Sequence, residues 1–283
     1  MGLVVVSDST HYLPDEIVKR CGIQEVSLYV TAAGQTQPEL QLRDYAEYYT
    51  RLASGADQPT TSQPSIGDFL QVYERLLDQG HELVSIHLSA GLSGTVDAAR
   101  QALEQLGDRR QRVTVIDSGS ACGALGLMLM AAAAVAAAGG NRAEVTARVS
   151  QVRSELRFLF VLETLEHLRR GGRVGGAQAW LGSALQIKPI LSLGDEIRAV
   201  ERVRTSRKAF QRLEQLMREL KQAGSDAWVV QHTHEPARAA ELVTSGREIF
   251  GCDPLFVSEI GPVIGAHIGP GLLGVGAVPQ GLL

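Results

Sequence analysis

The chain has 283 residues, 45% of them hydrophobic and 20% charged, with a formal net charge of −4. That length suggests two domains, each long enough to bury a core, and the lack of a basic excess argues against a nucleic-acid partner. Cys21, Cys122 and Cys252 are too few and too widely spaced for a disulfide framework or a zinc site, and read as reduced, mostly buried thiols.

At the start, Leu3-Val4-Val5-Val6 reads as a strand with no basic n-region before it, so no signal peptide and a cytoplasmic location are expected. The strand runs into Ser7-Asp8-Ser9-Thr10, and Pro14 opens a helix as a first-turn proline. Pro59-Thr60-Thr61-Ser62-Gln63-Pro64-Ser65 reads as a polar turn between helices. The next helix carries Phe69, Val72, Tyr73, Leu76 and Leu77 on one face, with Ser65 and Asp68 placed as a capping box. Leu83 to Leu88 is a strand ending in Ser89-Ala90-Gly91-Leu92-Ser93-Gly94-Thr95, followed by a helix presenting Val96, Ala99, Leu103 and Leu106. Val113 to Ile116 is a third strand, ending in Asp117-Ser118-Gly119-Ser120. Alternating strands and helices imply a parallel sheet, which brings the three Ser-rich turns to its carboxyl edge, where ligands of open α/β sheets bind.

Ala121 to Gly140 is nearly uncharged, but Ala and Gly dominate it, so it reads as a tightly packed core helix rather than a membrane span. A helix from Arg142 ends the first half, and a boundary near residue 155 is expected. Phe158 to Leu162 is a strand. Glu163 to Leu168 is a short helix ending at Arg169-Arg170-Gly171-Gly172-Arg173. Ile187 to Leu193 and Glu196 to Arg204 form a hairpin turning at Gly194-Asp195. Ser206 to Ala223 is an amphipathic helix, Ala227 to Gln231 a strand, Pro236 to Phe250 a helix, and Phe256 to Ile260 and Gly271 to Val278 are strands, which predicts a mixed sheet.

Gly91-Leu92-Ser93-Gly94-Thr95 nearly matches the nucleophile elbow G-x-S-x-G, but Thr95 replaces the last glycine and no acidic residue orienting a histidine is evident. Ser93 reads instead as part of an anion site built from a hydroxyl and backbone N–H groups. Gly269 to Gly274 fits G-x-G-x-x-G formally, yet too little chain follows for a dinucleotide fold. His232 and His234 lack the partners of a metal site. His267, flanked by glycines, is a site candidate that could complement a carboxylate when protonated.

The ordered set of Ser7-Asp8-Ser9-Thr10, Thr60-Thr61-Ser62-Gln63-Pro64-Ser65, Gly91-Leu92-Ser93-Gly94-Thr95, Val115-Ile116-Asp117-Ser118, Leu168-Arg169-Arg170-Gly171-Gly172-Arg173-Val174, Ile187-Lys188-Pro189-Ile190-Leu191 and Gly261-Pro262-Val263-Ile264-Gly265-Ala266-His267 resembles the DegV family over almost the whole chain. The resemblance implies a two-domain α/β protein: a parallel-sheet α/β/α domain over residues 1–155 holding an acyl-chain pocket, and a mixed-sheet α/β domain over 156–283 contributing His267 and a basic docking surface. It further implies a long-chain fatty acid as ligand and, as partner, the kinase subunit of a fatty acid kinase. That kinase would bring ATP and magnesium, phosphorylate the carboxylate to an acyl phosphate for phospholipid synthesis, and leave this chain non-catalytic with no cofactor of its own. By the same carry-over Thr61 or Ser62, Ser93 and His267 contact the carboxyl group, helped by the N–H groups of Gly94 and Thr95. Arg170 and Arg173 lie near the carboxylate or the docking face, and Arg198, Arg202 and Arg204 belong to docking. Ala124, Gly126, Ala131 and Ala134 are expected to leave room for the tail. A stand-alone small-molecule phosphotransferase and a lipid-sensing scaffold are the competing readings.

Overall fold

The structure, a computed structural model, describes residues 2–42, 44–56, 58–181 and 187–283. The first half runs β1 (Leu3–Asp8), α1 (Asp15–Cys21), β2 (Gln24–Val26), β3 (Tyr29–Ala32), β4 (Gln35–Pro38), α2 (Ala46–Ala53), β5 (Thr60–Ser62), α3 (Ile66–Asp78), β6 (Glu82–His87), α4 (Thr95–Gln105), β7 (Val113–Asp117), α5 (Cys122–Ala137) and α6 (Arg142–Glu155). The second half runs β8 (Arg157–Val161), α7 (Glu166–Arg170), β9 (Lys188–Leu193), β10 (Ile197–Val203), α8 (Ser206–Gln222), β11 (Ala227–His232), α9 (Pro236–Phe250), β12 (Phe256–Glu259), α10 (Pro262–Ile268) and β13 (Leu273–Val278).

A four-stranded sheet has the order β2-β1-β6-β7, with every pair parallel. Successive strand residues face opposite sides. Val6 and Leu83 therefore pack with Phe69, Tyr73 and Ala99 of α3 and α4, while Val5 and Val84 pack with Leu125 and Met128 of α5. The Ser65 hydroxyl and the Asp68 carboxylate cap α3 reciprocally, as their spacing predicts.

A six-stranded sheet has the order β10-β9-β8-β13-β11-β12; only β11 and β12 among these pairs run parallel. Leu159 and Val161 face α8 and α9, whereas Phe158 and Phe160 face α5. Helix α5 thus lies between the two sheets. Its small residues allow close approach: a Cβ on Gly126 would press on Leu13 and stand 3.4 Å from Phe256, and one on Gly123 would meet Gln231 and Phe158. On β13, Gly276 makes way for the Phe158 ring. No helix among the described residues is long and apolar enough to cross a membrane.

Several expectations are corrected. Thr60–Ser62 is a strand, not a turn, and pairs with β3 in a three-stranded antiparallel sheet of order β4-β3-β5. The short helix spans Glu166–Arg170 rather than 163–168. The glycine-flanked segment around His267 is a helix, α10. Of the cysteines only Cys122 is buried; Cys21 is half-buried and Cys252 exposed. The small residues of α5 leave no slot for a tail: Ala124 and Ala131 are fully buried among core side chains, Leu13 and Phe256 fill the space at Gly126, and Ala134 is exposed.

Candidate functional site

A cavity of about 350 Å³ opens between the two main sheets. That lies within the range typical of small-molecule sites, roughly 300–1,000 Å³. Its apolar wall includes Leu88, Ala121 and Cys122 from the first half and Phe158, Phe160 and Leu272 from the second. The pocket expected within residues 1–155 is therefore shared by both halves of the chain, because the face of β8 that packs toward α5 supplies part of the wall. Thr61, Ser62, Gln63, Ser93, Gly94, Arg173 and His267 supply its polar groups.

These groups come together from separate elements. Pairing of Thr61 with Val30 places β5 beside α10. Thr61 Oγ1 then lies 2.7 Å from His267 Nε2. Gly171 has no side chain, and a Cβ there would collide with His267 Nδ1, so the glycine of the Arg-Gly-Gly-Arg run lets the imidazole lie against the backbone after α7. His267 Nδ1 itself is buried and has no hydrogen-bond partner among the described residues. Burial, with the Arg173 guanidinium nearby, pushes the imidazole down to about 4. Both effects disfavour the imidazolium as long as no anion lies beside it.

Gly94 caps the start of α4, and its missing side chain lets the Gln63 amide lie over it. Ser93 Oγ stands 2.9 Å from Thr95 Oγ1 and accepts the Thr95 N–H at 3.3 Å. Thr95 is buried and does not line the cavity; its role is to orient the Ser93 hydroxyl. Arg173 Nε donates to the Leu92 carbonyl at 3.2 Å, which holds the arginine at the rim beside the Ser93 loop. The β9–β10 hairpin closes over the same loop, with Ser89 Oγ donating to the Asp195 carbonyl at 2.6 Å.

The remaining arginines lie elsewhere. Arg170 is exposed and donates to Glu166 at 3.0 Å rather than lining the cavity. Arg198, Arg202 and Arg204 are exposed on and just after β10, with the Arg202 guanidinium 5.4 Å from the centre of the Trp180 ring. His232 and His234 do not pair on a metal: His232 Nδ1 accepts the Glu235 N–H at 3.3 Å, and His234 stacks on Tyr49. Among the described residues no group of three or more potential ligands gathers for a metal.

Sequence reasoning missed one buried relay. Tyr73 OH donates to Ser85 Oγ at 2.7 Å; Ser85 Oγ lies 2.6 Å from His87 Nε2, and His87 Nδ1 lies 3.1 Å from Asp8. A carboxylate does orient a histidine, contrary to expectation, but around Ser85 rather than Ser93. All four side chains are fully buried, and none lines the cavity, so no acyl carbon can reach the Ser85 hydroxyl. Burial would raise Asp8, yet the His87, Thr10 and Leu88 contacts outweigh it and hold the carboxyl below its ordinary value. The relay ties β1 to β6 beneath the site.

The fold and sequence have many relatives. A DegV domain-containing protein of Streptomyces coelicolor is 40% identical over 280 residues, covering 96% of this chain and 97% of its own. A solved DegV family protein from Thermus thermophilus, described as fatty acid binding, superposes with a TM-score of 0.88 at 32% identity, over 99% of this chain and 100% of that one. DegV of Bacillus subtilis, described as a fatty acid binding protein, has a TM-score of 0.88 at 32% identity, over 98% and 99% of the two chains. The family model described as "Uncharacterised protein, DegV family" matches residues 2–280, and with these relatives it shows that the chain belongs to the DegV family.

Proposed function

We propose that this chain binds a long-chain fatty acid in the inter-sheet cavity and presents its carboxylate to a partner kinase for phosphorylation to an acyl phosphate. The observation that carries the reading is the 2.7 Å Thr61–His267 contact in a largely apolar cavity that Ser93 and Gly94 also line. A buried carboxylate is costly unless hydrogen-bonded. A neutral His267 can donate through Nε2 to Thr61 Oγ1, which frees the Thr61 proton for the carboxylate. Ser62, the Ser93 hydroxyl and the Gly94 backbone complete the donor set, with the Thr95 N–H spent on holding Ser93 Oγ rather than the ligand, and Arg173 adds positive charge at the rim. The apolar wall takes the tail, at about 0.8 kcal/mol per buried CH₂. Fatty-acid binding by the Thermus and Bacillus relatives, at 32% identity over the whole chain, supports the ligand class.

In this reading the chain is a non-catalytic, cytoplasmic subunit. A carboxylate oxygen attacks the γ-phosphorus of ATP held with magnesium by the kinase, and ADP leaves. Arg170, Arg198, Arg202 and Arg204, all exposed on the second half of the chain, serve as the docking surface in this reading. The test is acyl phosphate formation, trapped with hydroxylamine, from the chain loaded with palmitate. Product is expected only with ATP, magnesium and a kinase subunit together. Steady ATP turnover by the purified chain alone would favour a stand-alone phosphotransferase. Lipid binding with no phosphorylation by any such kinase would favour a sensing scaffold.

A further inference from the structure

Helix α10 supplies more of the cavity than its length suggests: Val263, Ile264, His267 and Ile268 all line it. Its start has no local cap. The N-cap residue is Gly261, which has no side chain, and Pro262 has no N–H. The free donors of the first turn are therefore those of Val263 and Ile264. Both are met from outside the helix. Val263 N–H donates to Glu39 Oε1 at 2.8 Å, and Ile264 N–H donates to the Tyr12 hydroxyl at 3.2 Å. Tyr12 OH in turn donates to Glu39 Oε1 at 2.8 Å, and Ser9 Oγ donates to Oε2 at 2.6 Å. A Cβ on Gly261 would stand 2.7 Å from Tyr12 and 2.8 Å from Glu39, so the glycine is what lets both groups reach the helix.

We propose that Glu39 is a positioning residue for the cavity: its Oε1 caps α10 from another part of the chain and so sets where His267 meets Thr61. Glu39 does not line the cavity and lies 2% exposed among these donors. A carboxylate buried this deeply is an expensive way to fill space. Its geometry suits a different purpose, since one oxygen gathers the α10 N–H and the hydroxyl that holds the next N–H. Among the described residues, the titratable side chains that act on it or stand beside it are Asp8 from β1, Tyr12, Tyr45, whose hydroxyl also reaches Gly261, Tyr49 from α2 and Cys122 from α5. All are acids, so none pairs with it as a cation, and the N–H and O–H donors hold it. The functional consequence rests on the fatty-acid reading; the docking of α10 does not.

The experiment compares the wild-type chain with Glu39→Ala, Glu39→Gln and Tyr12→Phe by hydrogen exchange without ligand and by calorimetric titration with palmitate. In Glu39→Ala the Val263 and Ile264 amides should lose protection by roughly tenfold or more, while β6 amides keep theirs, and palmitate affinity should fall by a similar factor. Glu39→Gln retains an acceptor at Oε1 and should restore both to within about threefold of wild type. Tyr12→Phe should expose Ile264 more than Val263. Exchange at α10 unchanged in Glu39→Ala overturns the proposal, as does loss of protection spread evenly over the chain, or a Gln variant no better than Ala. A wild-type chain that binds no palmitate defeats the fatty-acid reading instead, and the exchange data still decide the role of Glu39.

Discussion

Thr61 Oγ1 and His267 Nε2, 206 residues apart in the chain, stand 2.7 Å from each other. Two local events produce that meeting. A three-residue strand pairs with β3, and a seven-residue helix packs beside it. Each element is too short to be stable alone, so the pair exists only because the whole fold assembles it.

If this pair and the Ser93 loop hold a carboxylate, Ser93→Ala combined with His267→Ala should bind palmitate at least about tenfold more weakly. A hydrogen bond to a charged group contributes roughly 1.5–3 kcal/mol, and 1.4 kcal/mol is tenfold. Calorimetry would check the affinity and circular dichroism the fold. Unchanged binding would remove these residues from the site.

The cavity wall and the solid core should respond differently to added bulk. Ala121 lines the cavity, so Ala121→Phe should weaken binding of long fatty acids more than short ones. Ala131 is fully buried away from the cavity, so Ala131→Phe should overpack the core and cost about 1–3 kcal/mol of stability. Affinities over a chain-length series, with denaturant unfolding of both variants, separate the two. Length-independent loss in Ala121→Phe would argue against a tail at that wall.

Glu39 should leave a mark on stability as pH changes. Burial raises its carboxyl to about 7, although Ser9, Val263 and Tyr12 pull it down. In the unfolded chain it returns to the ordinary 4.5 of a glutamate. Between these values the folded state holds a proton that the unfolded state has lost, so this contribution falls as pH rises from about 4.5 to about 7. The loss is on the order of 3 kcal/mol at most, at 1.36 kcal/mol per pH unit. Glu39→Gln should flatten it, making the variant the more stable chain at pH 8 and not at pH 4.5. Parallel unfolding curves at every pH would contradict the assignment.

His267 acts in the opposite sense. Its folded value of about 4 lies below the ordinary 6.5, so its contribution is complete above about 6.5 and is lost as pH falls toward 4. A carboxylate brought beside it should raise its midpoint, since an opposite charge favours the imidazolium. Imidazole resonances titrated with and without palmitate would show this. A midpoint near 6.5 in the free chain, or no change on binding, would contradict it.

Much of the architecture was legible because burial leaves a period. Val5 and Val6 alternate between the two faces of β1, and Phe158 and Leu159 do the same on β8. The Ser65–Asp68 spacing showed the start of α3. Thr60–Ser62 had no such pattern, since β5 is a short edge strand without a buried face; its burial runs exposed, half-buried, exposed. Helix α10 was hidden by its glycines, though Pro262 at the start and Gly269 past the end are ordinary helix punctuation. Thr61, Ser93 and His267 were visible as residue types through the family resemblance. The position of the cavity was not, because it depends on how Phe158 and Phe160 of one sheet face α5, which no local pattern encodes. Glu39 lay in a polar stretch with nothing to distinguish it from a solvated carboxylate.

Native mass spectrometry of freshly purified chain would decide whether a fatty acid occupies the cavity. A copurified species with the mass of a long-chain fatty acid is expected, held by the wild-type protein and depleted in the Ser93→Ala, His267→Ala double variant. A wild-type chain that carries no lipid and takes up none when palmitate is added, or a double variant loaded as fully as wild type, would contradict it.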